Sequence, residues 1–276
     1  MYYNFTNSLL YSTVRIECQE GNSTSTGTGF FYKFHFEDTV VPVIVTNKHV
    51  VEGYSKGKLI FNIGDKNANK PEGQKAVNLD DFNMNWILHP EEDVDLCIFP
   101  FSYIANQLLK DEGLEIFFRA IDKNFIPSSE MIETLIPRED ILVVGYPNGI
   151  WDEFNNLPIL RDGITATHYM YDYNGHKKFL IDASIFPGSS GSPVYIYNQN
   201  FIDNKGNTSI GTERLLFIGI VYAVYNHTAS GKIEIQSPTN QGLSVSTRVP
   251  INLGLVIKSE KMLDFEPKLK ELLPKS

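Results

Sequence analysis

The 276-residue chain has only two cysteines, Cys18 and Cys97, each inside an apolar, β-like run. Two isolated thiols in such surroundings argue against a disulfide-stapled scaffold and read as buried, reduced side chains. No stretch approaches the ~18 consecutive apolar residues of a membrane-spanning helix. The start, Met1-Tyr-Tyr-Asn-Phe-Thr-Asn, lacks both the basic residues and the apolar segment of a signal peptide. The expectation is a soluble, unexported, cytoplasmic protein, with no membrane partner, in which the sequons at Asn4, Asn22, Asn207 and Asn226 are chance. Positive charge is scarce as well: 24 Lys and Arg against 33 Asp and Glu leave a net charge of −9, and only the Lys177-Lys178 pair stands out. Without concentrated positive charge, nucleic acid is not an expected partner. No Cys/His set has zinc-site spacing, and His35, His89, His168, His176 and His227 are scattered, so neither metal nor cofactor is expected. Low-complexity tracts and fixed-period repeats are missing too.

What remains is an ordinary globular composition, 42% hydrophobic and 12% aromatic, in a chain long enough for a substantial core. Short segments rich in Val, Ile, Phe and Tyr recur between Gly, Asn, Asp and Pro, which is strand punctuation. The first half offers Thr13 to Cys18, Gly29 to Phe36, Val40 to Asn47, Leu59 to Ile63, Trp86 to Leu88 and Leu96 to Phe99, with Gly64 to Lys75 a loop by composition. The second offers Ile141 to Tyr146, Leu160 to His168, Phe179 to Ala183, Val194 to Tyr197, Leu215 to Val224 and Leu243 to Val249, with a hairpin insertion at 198–212. A short helix is expected at Ile104 to Lys110 in the connector. After Pro250 the apolar residues Leu253, Val256, Ile257, Leu263, Leu269, Leu272 and Leu273 fall at helical spacing, an amphipathic tail expected to pack on its own domain.

Three segments bring together imidazole, carboxylate and hydroxyl. Gly27-Thr-Gly-Phe-Phe is followed by Ile44-Val-Thr-Asn-Lys-His49-Val-Val, an apolar strand that runs into a histidine. Asp93-Val-Asp95-Leu-Cys-Ile-Phe sets a carboxylate ahead of another apolar strand. In Phe186-Pro-Gly188-Ser-Ser190-Gly191-Ser-Pro193-Val, small residues let a serine stand exposed on a tight turn whose backbone N–H groups point to one space. Singly, each has a bland reading: a strand-end histidine is usually structural, an aspartate before a strand usually caps a turn, and Gly/Ser runs can be linkers. A linker, however, does not normally sit between the apolar runs Phe179 to Phe186 and Val194 to Tyr197. The set makes chemical sense because a serine hydroxyl is a poor nucleophile and needs a base to take its proton. Histidine is such a base, a carboxylate on its far nitrogen fixes the tautomer, and backbone amides can hold the developing oxyanion.

These three segments resemble the signatures of trypsin-like serine peptidases, in particular the bacterial, HtrA-like branch and trypsin-like peptidase-domain proteins. The likeness covers about residues 12 to 250, and the chain order His, Asp, Ser, with spacings of 46 (95 minus 49) and 95 (190 minus 95), suits a two-barrel peptidase. The α/β-hydrolase elbow Gly-x-Ser-x-Gly fits poorly, since Ser192 occupies its fifth position, both partners precede Ser190, and the strands do not alternate with helices. The resemblance implies an all-β fold of two six-stranded antiparallel β-barrels, chymotrypsin-like, at about 12–101 and 141–250, with a C-terminal α-helix at 251–273, in one peptidase domain spanning 1–275. It implies His49, Asp95 and Ser190 as the catalytic residues, with Asp93 a poorer match because the family's acid directly precedes its strand. The amides of Gly188 and Ser190 would form the oxyanion hole. The substrate pocket would use Ser184, six residues before the nucleophile, and the strand carrying Tyr222, Ala223 and Val224. An uncharged Ser184 argues against a strong preference for Lys or Arg, although Asp172 and Asp182 nearby leave a basic preference open.

Two departures from the family stand out. Ser189 replaces the aspartate that pairs with a new N-terminus in digestive enzymes, and Ser192 replaces the second glycine after the nucleophile. The expected activity is peptide-bond hydrolysis on a protein or peptide substrate, restrained by narrow specificity or by a regulatory partner. The competing expectation is a silent pseudo-protease that binds peptides. The aromatics of residues 144–156, Trp151 and Phe154, are read as a packed surface cluster on a cleft-side loop.

Overall fold

The computed structural model describes residues 5–37, 39–65, 70–233 and 243–273, and of residues 5, 226–233 and 243–250 the backbone alone. After a short helix α1 (Phe5–Leu9), the first half forms β1 (Thr13–Glu20), β2 (Ser23–Phe36), β3 (Thr39–Thr46), β4 (Lys56–Ile63), β5 (Gly73–Asp80), β6 (Ile87–Leu88) and β7 (Cys97–Pro100). These make one antiparallel sheet in the order β5-β4-β1-β2-β3-β7-β6. Two expectations are corrected here. The sheet has seven strands, not six, and β5 and β6 are free edges rather than a closing pair. The added strand, β5, lies partly in the segment read as a loop. Its only apolar residues, Ala76, Val77 and Leu79, sit among polar ones, and its burial alternates between exposed and intermediate, so it has little apolar signal of its own. It forms because β4 offers it an eight-residue register from Lys56–Asp80 to Ile63–Gly73. One face of the sheet holds Phe31, Phe61, Phe101 and Phe118, with ring centroids 5.0 to 6.3 Å apart. In the same cluster Phe82 packs on Gly57, where a Cβ would meet the ring at 2.2 Å.

A one-turn helix α2 (Lys48–Val51) follows β3. The connector holds α3 (Ser102–Glu112), closed by Gly113 at φ +70° and matching the expected short helix, and α4 (Ser129–Ile132), whose Ser128 side chain caps the Met131 N–H. The second half forms β8 (Asp140–Gly145), β9 (Ile159–Thr165), β10 (Lys178–Ala183) and β11 (Pro193–Asn198). The insertion follows as the hairpin β12 (Phe201–Ile202) and β13 (Thr208–Ser209), and then the long β14 (Arg214–Ile233) and β15 (Leu243–Lys258). Six of these close into an antiparallel barrel, β10-β15-β14-β11-β8-β9. Ile141, Val143, Phe179, Ile181, Val194, Ile218 and Val256 fill its interior.

The end of the chain differs from the expected helix at 251–273. Residues 251–258 continue β15, a 3-10 turn spans Ser259–Phe265, and only α5 (Glu266–Leu272) is α-helical. Leu253, Val256 and Ile257 serve a strand as well as a helix: in register with β10, Val256 enters the barrel and Ile257 faces the cluster between the two halves. Met262, Phe265 and Leu269 then bury themselves in that same cluster, alongside Phe30, Val45 and Ile98 of the sheet and Leu142, Val144 and Tyr195 of the barrel. The tail thus packs on its own chain. A shared apolar core fixes sheet and barrel against each other, and the cleft opens along its rim.

Candidate active site

His49 sits in α2 directly after β3. Val50 and Val51 of the same turn are buried, which anchors the turn and leaves the imidazole side chain 47% exposed toward the cleft. Asp95 reaches it from the start of β7. Its Oδ2 lies 2.5 Å from His49 Nδ1, and its Oδ1 accepts the His49 backbone N–H at 3.1 Å, so one carboxylate fixes both the ring and the turn. Asn47 Nδ2 donates to the Asp95 carbonyl at 2.8 Å and ties the two strand ends together. Burial pushes the Asp95 carboxyl up, but the His49 side chain, its charge and the His49 and Lys48 amides pull it further down, below the usual aspartate value. The carboxylate is therefore ionised at neutral pH. Asp93 is exposed and stands apart from this group.

Ser190 comes from the barrel, with Oγ 2.9 Å from His49 Nε2. Its turn uses two glycines in the left-handed region. Gly188 (φ +87°) has no room for a Cβ, which would lie 2.5 Å from the Tyr146 carbonyl, and at Gly191 (φ +85°) one would lie 2.0 Å from the Thr28 carbonyl. Asn148 N–H donates to Pro187 O at 2.6 Å, which fixes the plane of the Pro187–Gly188 peptide. Thr28 holds the turn from the sheet: its Oγ1 donates to Gly188 O at 2.9 Å and accepts Tyr146 N–H at 3.0 Å, and its own N–H donates to Ser190 O at 2.9 Å. Among the described residues the Gly188 and Ser190 amides donate to no carbonyl, while those of Ser189, Gly191 and Ser192 are all engaged.

The departure at Ser192 has a structural counterpart. A Cβ on Gly145 would lie 2.1 Å from Ser192 Oγ, so the missing side chain on β8 makes the space that the serine fills. The expected pocket residues divide. Ser184 is exposed and Val224 packs against the barrel interior, whereas Tyr222 turns the other way, its ring under Lys178 Nζ at 4.9 Å and against the cluster between the halves. Ala223 pairs with Leu255 beside a bulge. Asp172 is taken up by Lys258 at 2.6 Å and Lys177 at 3.2 Å, and Asp182 is exposed between Ile181 and Ala183, which face inward. Of the loop aromatics, Trp151 packs on Arg15, whose guanidinium carbon is 3.5 Å from the ring centroid, while Phe154 stays 91% exposed, against expectation.

Sequence reasoning overlooked Thr28, Asn148 and Gly145. The signal for Thr28 was a threonine held between two glycines, Gly27 and Gly29, beside the first motif. Asn148 carried a weaker one, an Asn-Gly pair after proline in which Asn adopts φ +50°. Cys18 and Cys97 are both buried and free, as expected. Among the described residues no group of three or more His, Cys, Asp or Glu is arranged to hold a metal, and no helix is long and apolar enough to cross a membrane.

A mostly β fold, with a serine, a histidine and an aspartate meeting between an open sheet and a closed barrel, defines the chymotrypsin-like class. The trypsin-like peptidase domain matches residues 27–202, and the chain belongs to that family. No curated protein matches it by sequence. Among solved structures it is similar to the serine endoprotease from Yersinia pestis, at 14% identity and a TM-score of 0.49 over 98% of this chain and 68% of that one. It is also similar to an M. tuberculosis protease in its active form, at 15% identity and a TM-score of 0.45 over 98% of this chain and 85% of the other. A catalytically inactive tobacco etch virus protease complexed with substrate gives 12% identity and a TM-score of 0.48 over 97% and 87%.

Proposed function

We propose that the chain is a serine endopeptidase that hydrolyses peptide bonds through an acyl-enzyme on Ser190. The observation that carries this reading is the continuous line Asp95–His49–Ser190, at 2.5 and 2.9 Å, beside two unengaged amides. The short Asp95 contact places a proton on His49 Nδ1, so that Nε2 accepts the Ser190 proton as Oγ attacks the scissile carbonyl. The tetrahedral oxyanion takes the Gly188 and Ser190 N–H groups, each contributing roughly 3 kcal/mol of transition-state stabilisation. His49 Nε2 then protonates the leaving amine, and a water activated by the same nitrogen attacks the ester and frees Ser190. Asp95 stays ionised and stabilises the imidazolium. The bond from Asn148 to Pro187 O supports a turn that needs no activating partner.

The test is a fluorophosphonate probe on the purified chain, with the adduct located by mass spectrometry. Wild type is expected to label at Ser190, and Ser190→Ala and His49→Ala are expected not to. A folded wild-type protein that stays unlabelled overturns the reading and leaves a peptide-binding pseudo-protease.

A further inference from the structure

Arg161 is a charged group of the barrel that the chemistry above does not use. It lies on β9 opposite Val143, which belongs to the barrel interior, and two and four residues further on Gly163 faces Ala183 and Thr165 faces Ile181. Arg161 is thus on the inward face near the start of β9, beside the segment that leads to the nucleophile. Its guanidinium donates to the Ser184 carbonyl, and its central carbon lies 5.0 Å from the Phe186 ring centroid. These residues come six and four positions before Ser190. Opposite stands the strand pair in which Val224 faces Gly254, and a Cβ on Gly254 would come 3.0 Å from Ile185.

A half-buried guanidinium normally has a carboxylate. Among the described residues Arg161 has none within ion-pair distance, whereas Arg15, Arg138 and Arg214 each do. Burial holds it below the usual guanidinium value, and no neighbouring acid offsets that. One bond to a neutral carbonyl uses a fraction of its five donors, and a planar fork with donors to spare is suited to a carboxylate. Stacking on Phe186 limits where the fork can point.

We propose that Arg161 receives an acidic side chain of the substrate, so that the enzyme cleaves after glutamate or aspartate. This rests on the endopeptidase reading above and deepens it. The same charge rejects lysine and arginine, which decides the question that Asp172 and Asp182 left open, since Asp172 is neutralised by two lysines and Asp182 faces outward. A carboxylate entering here completes the ion pair that Arg161 lacks among the described residues.

The experiment is digestion of a proteome-derived peptide library by the purified chain, with the residue before each cleaved bond read by mass spectrometry and Ser190 labelling measured in parallel. Glu and Asp are expected to predominate there, with a Glu-to-Gln ratio in kcat/KM of roughly tenfold or more. Arg161→Lys is expected to keep that preference, Arg161→Gln to lose it, and Arg161→Glu to favour Lys and Arg. A wild-type enzyme that labels at Ser190 and shows no acidic preference, or one undiminished in Arg161→Gln, overturns the inference and leaves the endopeptidase reading intact. If Ser190 does not label, that reading fails instead, and capture of the same library on Ser190→Ala decides the inference by itself: enrichment of Glu and Asp peptides supports it and their absence overturns it.

Discussion

The two halves of the molecule solve the same problem differently. The barrel has no edges: six strands close on each other, and the nucleophile turn is a loop clamped between β10 and β11. The sheet has two, β5 and β6, and it holds His49 and Asp95 by side chains reaching backbone, Asn47 to Asp95 O and Asp95 to His49 N–H. Closure gives rigidity through the ladder, whereas an open sheet has to fix its functional residues by individual polar contacts. The link between the halves is Thr28, a sheet residue that makes three hydrogen bonds to the Ser190 turn and the end of β8 while its carbonyl accepts from Thr46 within the sheet. The geometry that joins His49, Asp95 and Ser190 therefore depends on the less constrained half gripping the more constrained one.

The sharpest way to break that comparison is to weaken the open sheet in its own core. Phe82 is fully buried against Gly57 and Trp86, in the same cluster as Phe31, Phe61 and Phe101. Phe82→Ala is expected to cost about 3 to 5 kcal/mol of stability by urea denaturation. Hydrogen exchange is expected to rise first in β4 and β5, with barrel strands β8 and β11 still protected. Uniform loss of protection would mean that the halves open as one unit.

Thr28→Val comes next. It keeps the shape and removes the Oγ1 that serves Gly188 O and Tyr146 N–H, leaving two buried polar groups without that partner. The expected effects are about 1 to 3 kcal/mol in stability and a fall in kcat of roughly ten- to a hundredfold with KM little changed, less than the ~10²–10³ for losing an oxyanion donor outright. An unchanged kcat would show that Asn148 alone sets the turn. Swapping the space-sharing pair is a milder probe. Ser192→Gly opens a small void beside Gly145, whereas Gly145→Ala drives a Cβ into Ser192 and the turn behind it, and is expected to cost about 1 to 3 kcal/mol.

The site was more legible in the sequence than the fold around it. His49, Asp95 and Ser190 each stand where an apolar run meets a turn, and their order and residue types restrict the chemistry sharply. The first six of the fourteen residues in β2, Ser23 to Thr28, carry no apolar side chain, so its true length did not show, and β5 was invisible because its Gly-Gln-Lys-Ala-Val-Asn-Leu-Asp is half exposed and forms only on a partner's edge. The tail was misassigned over 251–258 because apolar positions three and four apart suit either a helix or a strand that buries both faces, and β15 buries Val256 on one side and Ile257 on the other. Thr28 and Arg161 escaped notice for a different reason: each acts through contacts 160 and 23 residues away in sequence, which no local pattern encodes.

The narrowest probe of the open half is its thiols, since both belong to it. Cys18 lies on β1 and Cys97 on β7, and the barrel has none. Burial pushes the Cys18 thiol up to about 12, with the Glu17 charge adding to it, and burial likewise holds Cys97 well above its ordinary value of 9.0. In the folded chain both stay protonated where unfolded thiols ionise. The stability this confers is complete below pH 9 and, for Cys18, is lost as pH rises toward 12, at up to about 1.4 kcal/mol per pH unit, with Cys97 acting in the same direction. Thiol-reactive labelling at pH 8 is accordingly expected to be slow in the native protein and to accelerate in mild urea only as the sheet opens. Should labelling accelerate in step with loss of Ser190 probe reactivity, opening the sheet and dismantling the active site are one event. Labelling that precedes it would mean that Thr28 keeps its hold on the turn while the strands behind it come apart.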